Sequence, residues 1–169
     1  VVDISLLTAF SRLEDIYVVG FEEEIIPVEN PSSIPAQPIS FDEGSRVNFD
    51  ILNHETAIRQ SGVGHLAGVS TLNTLGAIED GWIETTLESS DHGMLGFAIE
   101  GSDEVYTNTD YTIYFTDYVA KLYNKGTDLN VQIAFVKGDK FQIERVGNEL
   151  FYKRNYQTFY KQNGDSTEI

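Results

Sequence analysis

The sequence predicts an all-β protein whose body is an antiparallel two-sheet sandwich. Three observations carry this. Apolar and polar residues alternate in short runs from Arg46 onward, turn residues separate the runs at close intervals, and aromatic residues crowd the runs. Alternation with a period of two gives each strand one face to bury.

The N-terminal segment departs from that pattern. Leu6, Leu7, Phe10, Leu13 and Tyr17 recur at helical spacing, and Asp3 or Ser5 is placed to cap the start. Residues 16–21, IYVVGF, read instead as a strand, and Glu22, Glu23 and Glu24 follow. All four prolines, Pro27, Pro31, Pro35 and Pro38, share one window, which reads as a linker or extended arm. The expected organisation is an N-terminal arm or cap over 1–26, a Pro-containing linker over 27–46, the sandwich over 47–161 and a polar tail over 162–169. A short helix is marginal alone. The arm therefore either packs on the sandwich or docks it onto a neighbour.

Within the body, strands are expected over 47–52, 56–60, 66–72, 81–87, 94–100, 111–116, 118–123, 131–136, 141–146, 150–153 and 157–161. The strongest hairpin signal is Gly147-Asn148, a two-residue turn whose residues tolerate positive φ. Alternation turns Ile83 and Leu87 to one face of their strand and Trp82, Glu84, Thr86 and Glu88 to the other. By the same rule Ile113, Phe115, Phe141 and Ile143 join Ile83 and Leu87 in lining the inter-sheet core.

Composition narrows the function classes. The chain has 169 residues and a formal net charge of -16. Such a surface repels phosphate backbones, which argues against a nucleic-acid partner, and it disfavours anionic membranes. It suits solubility, or the holding of calcium. There is no cysteine, which excludes disulfides, thiolate metal sites and thiol nucleophiles. No apolar run reaches the length of a membrane span. No signal peptide is visible and the chain opens on Val1, as expected of a trimmed, processed or fragmentary chain.

Several phrases then recur in a telling order: AGVSTLNTL (67–75), DGWIETTL (80–87), MLGFAIEGSD (94–103), DYTIYF (110–115), VAKLYNKG and GDKFQIERVGNELFYKRN. Their order and spacing resemble the concanavalin-A-like jelly-roll modules of large bacterial surface proteins and some phage structural proteins. The resemblance covers roughly residues 47 to 161. It implies a jelly-roll strand order, an extracellular, cell-surface or virion location, and binding, adhesion or display rather than catalysis. It supplies no universal set of ligand residues. The last turn departs from the pattern, because Arg154-Asn155-Tyr156 stands where asparagine-glycine is usual.

Three constellations could carry chemistry. Glu84, Thr86 and Glu88 project from one strand face beside Trp82. Glucanases of the concanavalin-A-like class place Glu-x-Asp-x-Glu on such a strand, but Thr86 replaces the middle carboxylate here and cannot supply its charge coupling. Second, sugar-binding sandwiches stack pyranose rings on outward aromatics beside polar groups. The carbohydrate candidates are Trp82, Glu84, Tyr114 and Tyr123. Third, the loop GSDEVYTNTD gathers Asp103, Glu104, Asn108 and Asp110. Asp103, Asn108 and Asp110 are the candidate calcium ligands on oxygen count, without EF-hand spacing.

No other signature competes. His54, His65 and His92 lack zinc spacing and read as loop residues, no G-x-S-x-G elbow occurs, and Gly62, Gly64 and Gly68 form no phosphate loop. The expected function is a non-catalytic binding or attachment module directed at a glycan or cell-surface polysaccharide, joined to a larger surface or virion assembly through the N-terminal arm. A structural capsid vertex or spike subunit, and a degenerate glycoside hydrolase, are the alternatives. No cofactor other than calcium is expected.

Overall fold

The computed structural model describes residues 39–53, 56–59, 69–76, 79–88, 92–98 and 109–164. The N-terminal arm, the linker up to Pro38, His54, His65, Asp103, Asn108 and residues 165–169 lie outside the described residues. Among the described residues there is no helix. The strands are β1 (Phe49–Asn53), β2 (Thr56–Arg59), β3 (Gly81–Thr86), β4 (Gly93–Ala98), β5 (Thr109–Thr116), β6 (Val119–Asn124), β7 (Thr127–Ala134), β8 (Lys140–Val146), β9 (Glu149–Arg154) and β10 (Gln157–Asn163).

Two four-stranded antiparallel sheets dominate. Sheet A has the order β10-β9-β8-β3 and sheet B the order β4-β5-β6-β7. A separate hairpin pairs β1 with β2. Of the predicted 66–72 strand, the described part contributes a single bridge, Phe41 to Thr71.

Alternation places the core as expected. Ile113, Phe115 and Leu122 from sheet B meet Phe141, Ile143, Leu150 and Tyr152 from sheet A, with Ile83 and Leu87 packed against them. Phe115 and Phe141 rings lie 5.1 Å apart, edge to face, and Phe135 approaches both at 5.9 Å. Fully burying each such side chain contributes about 1.5–3 kcal/mol. This shared core is what turns Trp82 and Glu84 outward on sheet A, and Tyr114 and Tyr123 outward on sheet B.

Turn chemistry refines several boundaries. The predicted strand over 118–123 begins instead at Val119, because Asp117 and Tyr118 take φ of 47° and 60° in a two-residue turn. Asn155 and Tyr156 do the same at φ 49° and 67°, so the last hairpin keeps a tight turn without the usual glycine. Both turns have the double positive φ of the type I′ hairpin, whose twist matches the flanking strands. In the Gly147-Asn148 turn only Gly147 has positive φ, at 57°.

One end of the sandwich is tied by Asp139. Its buried carboxylate accepts hydrogen bonds from Val136 N at 2.8 Å, Arg154 Nε at 2.9 Å and Asn155 Nδ2 at 2.8 Å, and pairs with Arg154 Nη2 at 2.7 Å. Its backbone oxygen accepts from Leu87 N at 2.9 Å. One residue thus joins the ends of β7, β8, β9 and the segment after β3. Burial alone would raise the Asp139 pKa, but the Val136 N–H, the Asn155 amide and the Arg154 guanidinium outweigh it and hold the carboxyl below its ordinary value.

Candidate functional site

The four carbohydrate candidates fall into two pairs on opposite outer faces. Trp82 and Glu84 lie on sheet A, whereas Tyr114 and Tyr123 lie on sheet B. The sandwich core separates the pairs, so they form two separate surfaces.

On sheet A, Trp82 stands across from Glu144 and Phe151, and Glu84 across from Gln142 and Lys153. Glu84 Oε1 accepts from Lys140 Nζ at 3.2 Å, and Lys140 also donates to Tyr156 Oη at 3.0 Å. The Tyr156 and Glu84 contacts hold the Lys140 ammonium above the ordinary lysine pKa, against the smaller cost of burial. Lys153 pairs with Glu144 at 2.5 Å. Glu88 lies beyond the end of β3 and pairs with Lys137 at 3.3 Å. Both glutamates of the glucanase-like phrase are therefore engaged by lysines.

On sheet B the geometry differs. The Tyr114 and Tyr123 rings lie 6.1 Å apart at 82°, on neighbouring strands. His92 Nδ1 lies 2.6 Å from Tyr114 Oη, and His92 Nε2 lies 3.5 Å from Thr116 Oγ1. The β4–β5 register causes this contact: Gly93 pairs with Phe115, which sets His92 beside Thr116. His92 is exposed, as are Asp128, Asn130 and Gln132 on β7 at the opposite edge of the sheet.

The polar residues beside the rings are positioned by an irregularity in β7. Lys121 pairs with Gln132 and Tyr123 with Asp128, so β7 carries two more residues than β6 between these points. Asn130 absorbs the excess at φ 57°, and its N–H donates to Asp128 Oδ1 at 2.7 Å. Bulges on edge strands re-aim side chains and often adjoin functional sites. Here the bulge opens a shallow polar depression lined by Lys121, Asp128, Asn130, Val131 and Gln132. The predicted strand over 131–136 missed this feature, because β7 runs from Thr127 to Ala134. The sequence pattern likewise marks His92 only as a loop residue. Its role depends on a cross-strand contact that no local pattern encodes.

Of the calcium candidates, only Asp110 is described. It is buried within β5 and pairs with Lys125 at 3.3 Å, while its backbone oxygen accepts from Lys125 N at 3.0 Å. Among the described residues no group of three or more acids or histidines is gathered to hold a metal. No helix among them is long and apolar enough to cross a membrane.

Comparison with protein-family models, with curated proteins and with solved structures returns no match. The class that the fold defines is an antiparallel β-sandwich, with half-buried tyrosines and exposed polar residues of the edge strand β7 on one outer face.

Proposed function

We propose that this chain is a non-catalytic binding or attachment module, directed at carbohydrate and displayed on an extracellular or virion surface. In this reading the outer face of sheet B is the contact surface. The observation that carries it is the Tyr114–Tyr123 pair, 6.1 Å apart, beside the depression lined by Lys121, Asp128, Asn130 and Gln132. A pyranose buries its apolar ring face on an aromatic side chain while its hydroxyls bond amide and carboxylate groups. Sheet B offers both kinds of group in adjacent rows.

The concanavalin-A-like jelly roll belongs to the same proposal. It is supported by the serial order of the sequence phrases and by the two four-stranded antiparallel sheets. The non-catalytic reading draws support from Lys140 and Lys137, which pair with Glu84 and Glu88.

A glycan-array screen of the intact chain, with and without calcium, tests the reading. Specific binding without calcium is expected. Binding only with calcium would move attention to residues 101–110. Silence in both conditions would overturn the proposal in favour of a purely structural subunit.

A further inference from the structure

The outer face of sheet B carries a chain of side-chain contacts that ends on Tyr114. Thr116 Oγ1 donates to Asp117 Oδ2 at 3.2 Å. His92 Nε2 lies 3.5 Å from the same Thr116 oxygen, and His92 Nδ1 lies 2.6 Å from Tyr114 Oη. The imidazole and phenol rings stand 5.9 Å apart and tilted by 47°, so they meet through their polar atoms and do not stack. Register causes the arrangement. Gly93 pairs with Phe115 and Met94 with Tyr114, which sets the residue before β4 beside two outward side chains of β5.

The order of donors follows from the chemistry of the groups. A carboxylate only accepts, and the single hydroxyl proton of Thr116 goes to Asp117. Thr116 Oγ1 therefore accepts from His92, which places the ring proton on Nε2. A neutral imidazole with Nε2–H has a bare Nδ1. The 2.6 Å bond is then donated by the Tyr114 hydroxyl. With that proton committed to His92, Tyr114 Oη has only lone pairs to offer a ligand. Protonating His92 reverses the bond, because an imidazolium donates from both nitrogens. Nδ1–H then points at Tyr114 Oη, and the phenolic proton turns outward. The charged groups that face the pair are Asp117, on the turn, and Lys121, which stands across from Tyr114 on β6. Lys121 in turn stands across from Gln132, and both line the depression. The polarity of Tyr114 Oη is thus set in a row that leads into the depression.

We propose that His92 is a positioning residue of this surface: it fixes Tyr114 as an acceptor toward a sugar hydroxyl, selects uncharged over carboxylate-bearing sugars, and loses that preference when protonated. The inference rests on the carbohydrate reading of sheet B. A sugar hydroxyl can donate to Tyr114 Oη, whereas a carboxylate there sets acceptor against acceptor. With His92 charged, the outward phenolic proton, the imidazolium and Lys121 all favour the acidic sugar.

The first test needs no ligand. The full chain is labelled with nitrogen-15 in its histidine rings, and two-bond proton–nitrogen correlation spectra are recorded from about pH 5 to 8, the range in which histidine changes charge. His92→Gln identifies its signals among those of the three histidines. At the neutral end His92 is expected as the Nε2–H tautomer, with Nδ1 shifted by an accepted hydrogen bond that Tyr114→Phe removes. The Nδ1–H tautomer at neutral pH, or an Nδ1 signal that Tyr114→Phe leaves unmoved, would overturn the assignment. Neither side chain belongs to the core cluster, so both variants keep the packing between the sheets. The second test titrates an uncharged glycan and its carboxylate-bearing analogue at both ends of that pH range. The preference for the uncharged sugar is expected to fall roughly fivefold toward acid pH, the worth of about one hydrogen bond, and to stay constant in His92→Gln. An equal fall in His92→Gln would overturn the proposal. Absence of any glycan binding beside an Nε2–H tautomer would overturn the carbohydrate reading, and the sugar preference with it, while the proton order of His92 would stand.

Discussion

Asp139 and Arg154 meet through Arg154 Nη2 at 2.7 Å and Nε at 2.9 Å, both on the same carboxylate oxygen. The pair fastens the start of β8 to the end of β9, beside the turn in which Asn155 and Tyr156 hold positive φ. Bond and turn support each other, because the Asn155 amide donates to the other oxygen of Asp139.

Asp139→Asn is expected to destabilise the sandwich by about 3 kcal/mol, the low end for breaking a largely buried pair. The pH dependence follows from the lowered carboxyl. A group with a depressed folded pKa stabilises fully above its unfolded value, here 3.8, and that stability is lost as pH falls through the folded value. Urea denaturation from pH 6 to pH 2 should therefore show a steeper acid loss in the wild type than in the Asn variant. Parallel curves would contradict this role for Asp139.

Two glycines of β4 should respond in opposite ways to alanine. At Gly96 a Cβ would lie 2.7 Å from the backbone oxygen of Tyr111 and 2.6 Å from Thr109 Cγ2. Backbone cannot yield as a side chain can, so Gly96→Ala should cost about 1–3 kcal/mol. At Gly93 a Cβ meets nothing within 4 Å. Gly93→Ala should be neutral or stabilise by up to about 1 kcal/mol, by restricting the unfolded chain. Thermal melts of the two variants check the contrast.

Tyr152 should govern stability at alkaline pH. Burial raises its hydroxyl pKa, against a smaller opposing effect of the hydrogen bond that Gln162 Nε2 donates at 2.6 Å. A raised folded pKa gives stability that is full below the unfolded value, near 10, and is lost as pH rises above it. The wild type should weaken above about pH 10. Tyr152→Phe should be less stable at pH 7, by about 1 kcal/mol, and show a shallower alkaline decline. Denaturation series at pH 7 to 11 measure both.

The core was legible in the sequence because alternation is a local signal. Ile113, Phe115, Phe141 and Ile143 could be placed inward from their spacing alone. What escaped depends on broken alternation. Thr158 pairs with Lys153 and Tyr160 with Tyr152, so Phe159 is an extra residue in β10. That bulge lets the consecutive Phe159 and Tyr160 both pack on the core. No local pattern announces this. Asp128 and Asn130 are poor strand formers, so the predicted strand starts at Val131 whereas β7 starts at Thr127. Alternation also turns Trp82 and Tyr114 away from the core side of their strands. Their division between two faces required the sheet pairing, since Trp82 and Tyr114 belong to different sheets.

The contact surface on sheet B is the centre of this account, and one titration tests it most directly. Isothermal titration with the best-binding glycan should show Tyr114→Ala and Tyr123→Ala each weakening affinity about 30-fold, which corresponds to about 2 kcal/mol. Full affinity in both variants, or loss on Trp82→Ala alone, would contradict the assignment and return the site to sheet A.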